Sequence, residues 1–159
     1  MPAKPTNLRE ELRQTKPFES PSHEAVLGLQ RTFDLIRREF AKIVDPVDLS
    51  AQQYNVLRIL RGAGEQCLPT LEIAERMVEK TPGITRLLDK LEAKHLVRRR
   101  RCSEDRRQVL CYITPAGLAL LAQIDPAISA AAPRLLRSLD EAETQSLIRL
   151  LEKIRAALD

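Results

Sequence analysis

The chain has 159 residues, 43% of them hydrophobic and 30% charged: enough for one good core, and too apolar for a disordered segment. Aromatic residues make up 3% and Trp is absent, so the core must come from Leu, Ile, Val and Ala, which favours helices. The formal charge is +4, yet residues 76–107 hold eleven Lys and Arg against five Asp and Glu, leaving −2 for the rest. So concentrated a basic block suits a polyanionic partner, with a solvated basic face as the plainer alternative.

Other classes find little support. Cys67, Cys102 and Cys111 are odd in number and show no metal-ligand spacing, so reduced thiols and no metal site are expected. The longest uncharged stretches are too short to cross a bilayer, and the first residues lead into no secretory apolar segment, so a cytoplasmic protein without membrane contact is expected. No Gly-rich phosphate loop, HExxH or nucleophile elbow occurs, and the two histidines are far apart, so neither an enzyme nor a cofactor is expected.

Residues 1–19 carry three prolines among charges and no apolar period, which reads as a flexible arm. From Pro21 to Pro46 the apolar residues Val26, Leu29, Phe33, Ile36, Phe40 and Ile43 recur at spacings of three and four. That is the narrow stripe of a helix lying along another helix. Ser50 with Gln53 makes a capping box for a second helix ending near Gly62 and Gly64. Thr70 can cap a third, short one.

The stretch KTPGITRLLDKLE follows at 80–92. Thr81 is a good N-cap, Pro82 falls at the first helical position and Gly83 removes a side chain at the next. Ile84, Leu87, Leu88 and Leu91 hold this helix to the core, leaving Thr85, Arg86, Asp89 and Lys90 outward. Val97–Cys102 and Gln108–Thr114 suit two strands joined by Ser103-Glu104-Asp105-Arg106-Arg107 as a hairpin loop. Strand alternation sends Arg98 and Arg100 to one face, Arg99 and Arg101 to the other, and a core cannot accept both pairs. Thr114-Pro115 opens a further helix that Pro126 and Pro133 must bend or interrupt. Asp140 with Glu143 starts the last, striped by Leu147, Leu150, Leu151, Ile154 and Leu158. Long apolar stripes on the first and last helices exceed what the middle can cover, which points to a homodimer.

The order of elements is mainly α with a small β-hairpin (α+β). It forms a winged helix–turn–helix lobe at 49–114 between dimerisation helices at 20–48 and 115–159, behind the arm at 1–19. LSAQQYNVLRIL, LEIAERM, TPGITRLLDKLEAKHLV and above all EDRRQVLCYITPAGLALL resemble the multiple-antibiotic-resistance regulator (MarR) family of bacterial transcription factors. The resemblance runs from the first long helix to the C-terminus. Its most specific parts are the Asp-x-Arg at Asp105 to Arg107 and the Thr-x-x-Gly at Thr114 to Gly117. It implies a homodimer that binds a pseudo-palindromic double-stranded DNA operator, usually as a repressor, and releases it when a small molecule or oxidant acts. It also implies that the helix from Thr81 is the recognition helix and the hairpin the wing, with Arg107 entering the minor groove and Asp105 steadying it.

Physical chemistry agrees with those roles. Thr81, Pro82 and Gly83 allow close approach of a helix start to a phosphate. Arg86 can fork onto a guanine edge, and Thr85 can meet a thymine methyl or a phosphate. Lys90, Arg99, Arg101 and Arg106 suit phosphates. The family's effector pocket lies where the lobe meets the dimer helices, which points to Phe33, Arg37, Tyr54 and Leu57. His95 stands where the family usually has Gly after the recognition helix, a backbone compromise in a left-handed cap. Some members of the family sense oxidants through a thiol in the first helix, and this chain has none there. A redox switch at Cys102 and Cys111 is one rival reading; a winged-helix module for an acidic protein is another.

Overall fold

A computed structural model describes residues 7–64, 66–80, 83–105 and 107–158. The chain divides into two compact units, Met1–Glu39 and Phe40–Asp159.

The described part of the arm holds one helical turn, α1 (Leu8–Glu11), capped by the Asn7 side chain. Glu11 accepts from Arg31 Nε at 2.7 Å on α2 (Pro21–Val44), so an ion pair and Leu8 beside Gly28 tie this turn to the long helix. Along α2, Val26, Leu29, Phe33 and Ile36 are all exposed, the stripe that the spacing predicts. Asp34 gathers Arg31, Arg37 and Arg38 on another face, and the Arg37 hydrogen bond holds its carboxyl below the usual range.

The second unit begins with the last turn of α2 and a short 3-10 turn, Asp45–Val47. Helix α3 (Ala51–Gly62) starts at Ser50 with both halves of the predicted capping box in place. Strand β1 (Leu68–Pro69), α4 (Thr70–Arg76) and α5 (Ile84–Ala93) follow, then β2 (Val97–Arg101) and β3 (Val109–Ile113). The sheet has three antiparallel strands in the order β1-β3-β2, with Arg99 opposite Cys111 and Leu68 opposite Cys111 on the other side. The expected hairpin is therefore present, and β1, too short to show alternation, adds a third strand. Thr70 does not cap α4: it is the first helical residue, and its hydroxyl donates to the Val109 carbonyl at 3.2 Å, holding α4 to the sheet.

Helix α6 (Pro115–Leu135) is one continuous helix, so Pro126 and Pro133 do not interrupt it. Among the described helices, α6 alone has the length and mean hydropathy (1.2) that a membrane span needs, despite carrying Asp125 and Arg134. That departs from the expectation drawn from uncharged runs. Gly117, Leu121, Ile124 and Ala131 are nonetheless buried and Asp125 pairs with Arg61 of α3 at 2.7 Å, as in a helix that closes a protein core. Helix α7 (Glu141–Ala156) starts at the predicted Asp140–Glu143 box and buries no residue; Ile148, Leu150, Ile154 and Leu158 are exposed. The core gathers Val56, Leu57 and Leu60 of α3, Ile73 of α4, Leu88 and Leu91 of α5, Cys111 of β3 and Leu121 of α6.

Candidate nucleic-acid interface

Helix α5 starts later than its sequence suggests. Gly83 is the N-cap, at φ 124°, a conformation that side chains rarely adopt, and its carbonyl accepts the first helical bond from Leu87 at 3.2 Å. Gly83 thus stands before the first turn instead of inside it. Thr81 and Pro82, the expected cap and first helical residue, lie outside the described residues, as does Arg106. From Ile84 onward the faces are as predicted: Leu88 and Leu91 are buried, Ile84 and Leu87 half-buried, and Thr85, Arg86, Asp89 and Lys90 exposed.

The far end of α5 fixes where the wing begins. His95 sits at φ 58°; its N–H donates to Glu92 O at 2.9 Å and that of Leu96 to Leu91 O at 3.0 Å, the two bonds of a Schellman cap. The backbone compromise foreseen for His95 is the geometry found. Thr114 closes the other side, its hydroxyl donating to the His95 carbonyl at 2.7 Å and accepting from Gly117 N at 3.1 Å.

At the wing tip the Asp105 carboxylate accepts the Arg107 backbone N–H at 3.0 Å and the Gln108 amide at 3.2 Å. Asp105 therefore shapes the loop through the main chain of Arg107, not by pairing with its guanidinium. Among the described residues no carboxylate pairs with Arg86, Lys90, Arg101 or Arg107. Arg98 and Arg100 share the face of Tyr112, with guanidinium carbons 4.8 and 5.4 Å from its ring centre.

Arg99 stands apart from the other β2 arginines. Its guanidinium is taken up by Glu92 (2.9 and 2.6 Å) and Asp89 (2.6 Å), both on α5. The Arg99 hydrogen bond holds the Glu92 carboxyl below its ordinary value, so the pair stays ionised at neutral pH. A groove of about 780 Å³, lined among others by Leu71, Thr85, Arg99 and Arg107, separates α4 and the start of α5 from the wing.

The four expected effector residues are placed differently. Tyr54 and Leu57 are buried in the second unit, Leu57 completely; Phe33 and Arg37 are exposed in the first. Within the second unit, a cavity of about 310 Å³ is lined by Phe40, Tyr54, Asn55, Arg58, Met77 and Val78, among others. Phe40 meets Tyr54 edge-on at 5.2 Å, and burial pushes the Tyr54 hydroxyl up. Asn55 Oδ1 accepts the Val78 N–H at 2.9 Å, so one wall of the cavity is hydrogen-bonded to the segment leading into α5. The sequence signal for Arg58 was its position one turn beyond Tyr54; nothing local could have joined either to Met77. Cys111 is fully buried and its thiol is pushed up, chiefly by burial, which disfavours the thiolate an oxidant sensor needs.

A family model described as "MarR family" matches residues 49–109, α3 through the wing. The chain is 29% identical over 126 residues to the HTH-type transcriptional regulator MhqR of Bacillus subtilis, covering 79% of this chain and 86% of that protein. Its fold matches the crystal structure of a MarR transcription factor from Planctomyces limnophilus at 41% identity, with TM-score 0.67 and coverage of 86% and 98% of the two chains. It also matches a mutant MarR from E. coli complexed with operator DNA, at 27% identity and TM-score 0.72, over 79% and 89% of the two chains.

Proposed function

This chain belongs to the MarR family of DNA-binding transcriptional regulators, and from that premise we propose that it is a homodimeric repressor that leaves a pseudo-palindromic operator when a small molecule binds. The observation that carries the reading is the sorting of charge over α5 and the wing. Among the described residues, Arg86 and Lys90 on the exposed face of α5, and Arg101 and Arg107 on the hairpin, have no carboxylate partner, as phosphate and base contacts require. Helix α5 enters the major groove, where Arg86 forks onto a guanine and Thr85 touches a thymine methyl or phosphate. Lys90, Arg101 and Arg106 meet phosphates. Arg107, on a tip shaped by Asp105, enters the adjacent minor groove, whose narrow width enhances its negative field. Thr81, Pro82 and Gly83, short of side-chain bulk, let the backbone before α5 come close to the phosphates.

The second copy covers the exposed apolar residues of α2 and of α7. Effector response is assigned to the cavity of Phe40, Tyr54, Asn55, Arg58, Met77 and Val78, whose size suits a small organic molecule and whose Asn55–Val78 bond adjoins the segment leading into α5. The DNA target places this work in the cytoplasm. Salt titration of binding to a selected operator tests the DNA reading: log affinity falls linearly with log salt, by about 0.9 per phosphate neutralised. A salt-independent affinity, or preference for an acidic protein, overturns it. Arg86→Ala relaxes preference among operator variants; an equal loss on all of them makes Arg86 a phosphate contact only.

A further inference from the structure

We propose that Arg99 is a positioning residue, not a DNA contact: clamped by Glu92 and Asp89, it fixes the wing to the recognition helix so that both tips meet one duplex at a set spacing. The inference rests on the proposal that α5 and the wing read the same DNA. Asp89 and Glu92 are three residues apart and share one face of α5, and Arg99 is the third residue of β2, on the face opposite Arg98 and Arg100. The Glu92 carboxylate is used twice. One oxygen accepts the Arg99 backbone N–H at 2.9 Å, and the other accepts its guanidinium at 2.9 and 2.6 Å. Asp89 takes the same terminal nitrogen at 2.6 Å. Among the described residues no other side-chain hydrogen bond joins α5 to β2 or the wing tip. Among the described residues, apart from core packing, the turn through Lys94 and His95, braced by the Thr114 bonds to His95 and Leu96, is what otherwise joins them.

The charges argue the same way. The clamp occupies Nε and Nη2 of Arg99, and a phosphate approaching the remaining Nη1 would meet two carboxylates that outnumber the one guanidinium charge and repel it. The Arg99 side chain is also 22% exposed, less than either partner at 54% and 39%. The guanidinium thus offsets one of the two carboxylate charges of Asp89 and Glu92 beside the DNA-facing surface, and the fork gives a directional, two-partner hold that a lysine could not reproduce.

Positioning and phosphate contact predict opposite results when the clamp is opened and Arg99 kept. The test uses the full-length protein with two duplexes of equal length, an operator recovered by selection and a random sequence, at several salt concentrations. Glu92→Ala lowers the operator-to-random affinity ratio roughly tenfold, because specific binding needs both elements preorganised and non-specific binding does not. Asp89→Asn, at an exposed position that the fold tolerates, lowers it by roughly threefold and decides the matter should Glu92→Ala fail to fold. The inference is overturned if the ratio stays unchanged, or if operator affinity rises with a salt slope steeper by about 0.9, the mark of a freed arginine meeting a phosphate. A wild-type ratio near one would instead remove the reading of α5 and the wing as a specific DNA interface.

Discussion

Adding a single methyl group at Gly117 tests how α6 locks the wing. A Cβ built there would lie 2.5 Å from the Leu96 carbonyl oxygen and 2.8 Å from Ile113 Cγ1. Carbon and carbonyl oxygen need about 3.3 Å, so α6 or the Leu96 peptide must move by about 0.8 Å. The Leu96 oxygen is not free to yield, since it accepts the Thr114 N–H at 3.1 Å. Overpacking costs about 1–3 kcal/mol and weakening that hydrogen bond about 1 kcal/mol, against a helix-propensity gain of up to about 1 kcal/mol. Gly117→Ala therefore destabilises by about 2 kcal/mol. In a chain of this size that lowers Tm by about 4–8 °C. Thermal melts followed by circular dichroism at fixed protein concentration measure it. Gly62→Ala is the control: nothing lies within 4 Å of its added Cβ, and it should be neutral or stabilising by about 0.5–1 kcal/mol. A Gly117→Ala protein that melts as high as wild type would refute the close-approach explanation of the Thr-x-x-Gly segment.

His95→Gly relieves left-handed strain worth about 1–2 kcal/mol and gives back about 0.5–1 kcal/mol in unfolded-state entropy, so denaturant titration should show a net gain of about 0.5–1 kcal/mol. A loss would mean that the imidazole itself holds the turn. Arg107→Ala should weaken operator binding by about 10- to 100-fold, reduce the salt slope by about 0.9 and leave the dimer intact by sedimentation. Unchanged affinity removes the wing tip from the interface. Alkylating the accessible thiols of the folded protein should leave operator affinity and effector release unaltered, because Cys111 is fully buried and only Cys67 and Cys102 are partly open. Loss of effector release on alkylation would revive the redox reading.

Much of the scaffold was legible because it is local. Apolar spacing of three and four specifies α2. The Ser50–Gln53 and Asp140–Glu143 pairs mark helix starts whose partners lie three residues away. The alternation of β2 separated Arg98 and Arg100 from Arg99 correctly, because a strand's faces follow from its period alone. What those faces meet is a tertiary matter: no pattern within 97–101 reveals that Glu92 and Asp89 claim Arg99 while Tyr112 receives its neighbours. The start of α5 was misread for a related reason. Thr81-Pro82 is strong local punctuation, and it concealed that Gly83 is the residue whose backbone leaves the helical region. Strand β1 escaped because two residues show no period, and the small cavity because its walls come from three stretches of chain far apart in sequence.

The central claim, a twofold pair of α5 helices and wings reading one duplex, is tested most directly by selecting bound fragments from random DNA and sequencing them. The account predicts inverted half-sites whose centres lie about one helical turn, roughly 10 base pairs, apart. Recovery of solitary half-sites, or no enrichment at all, would contradict it.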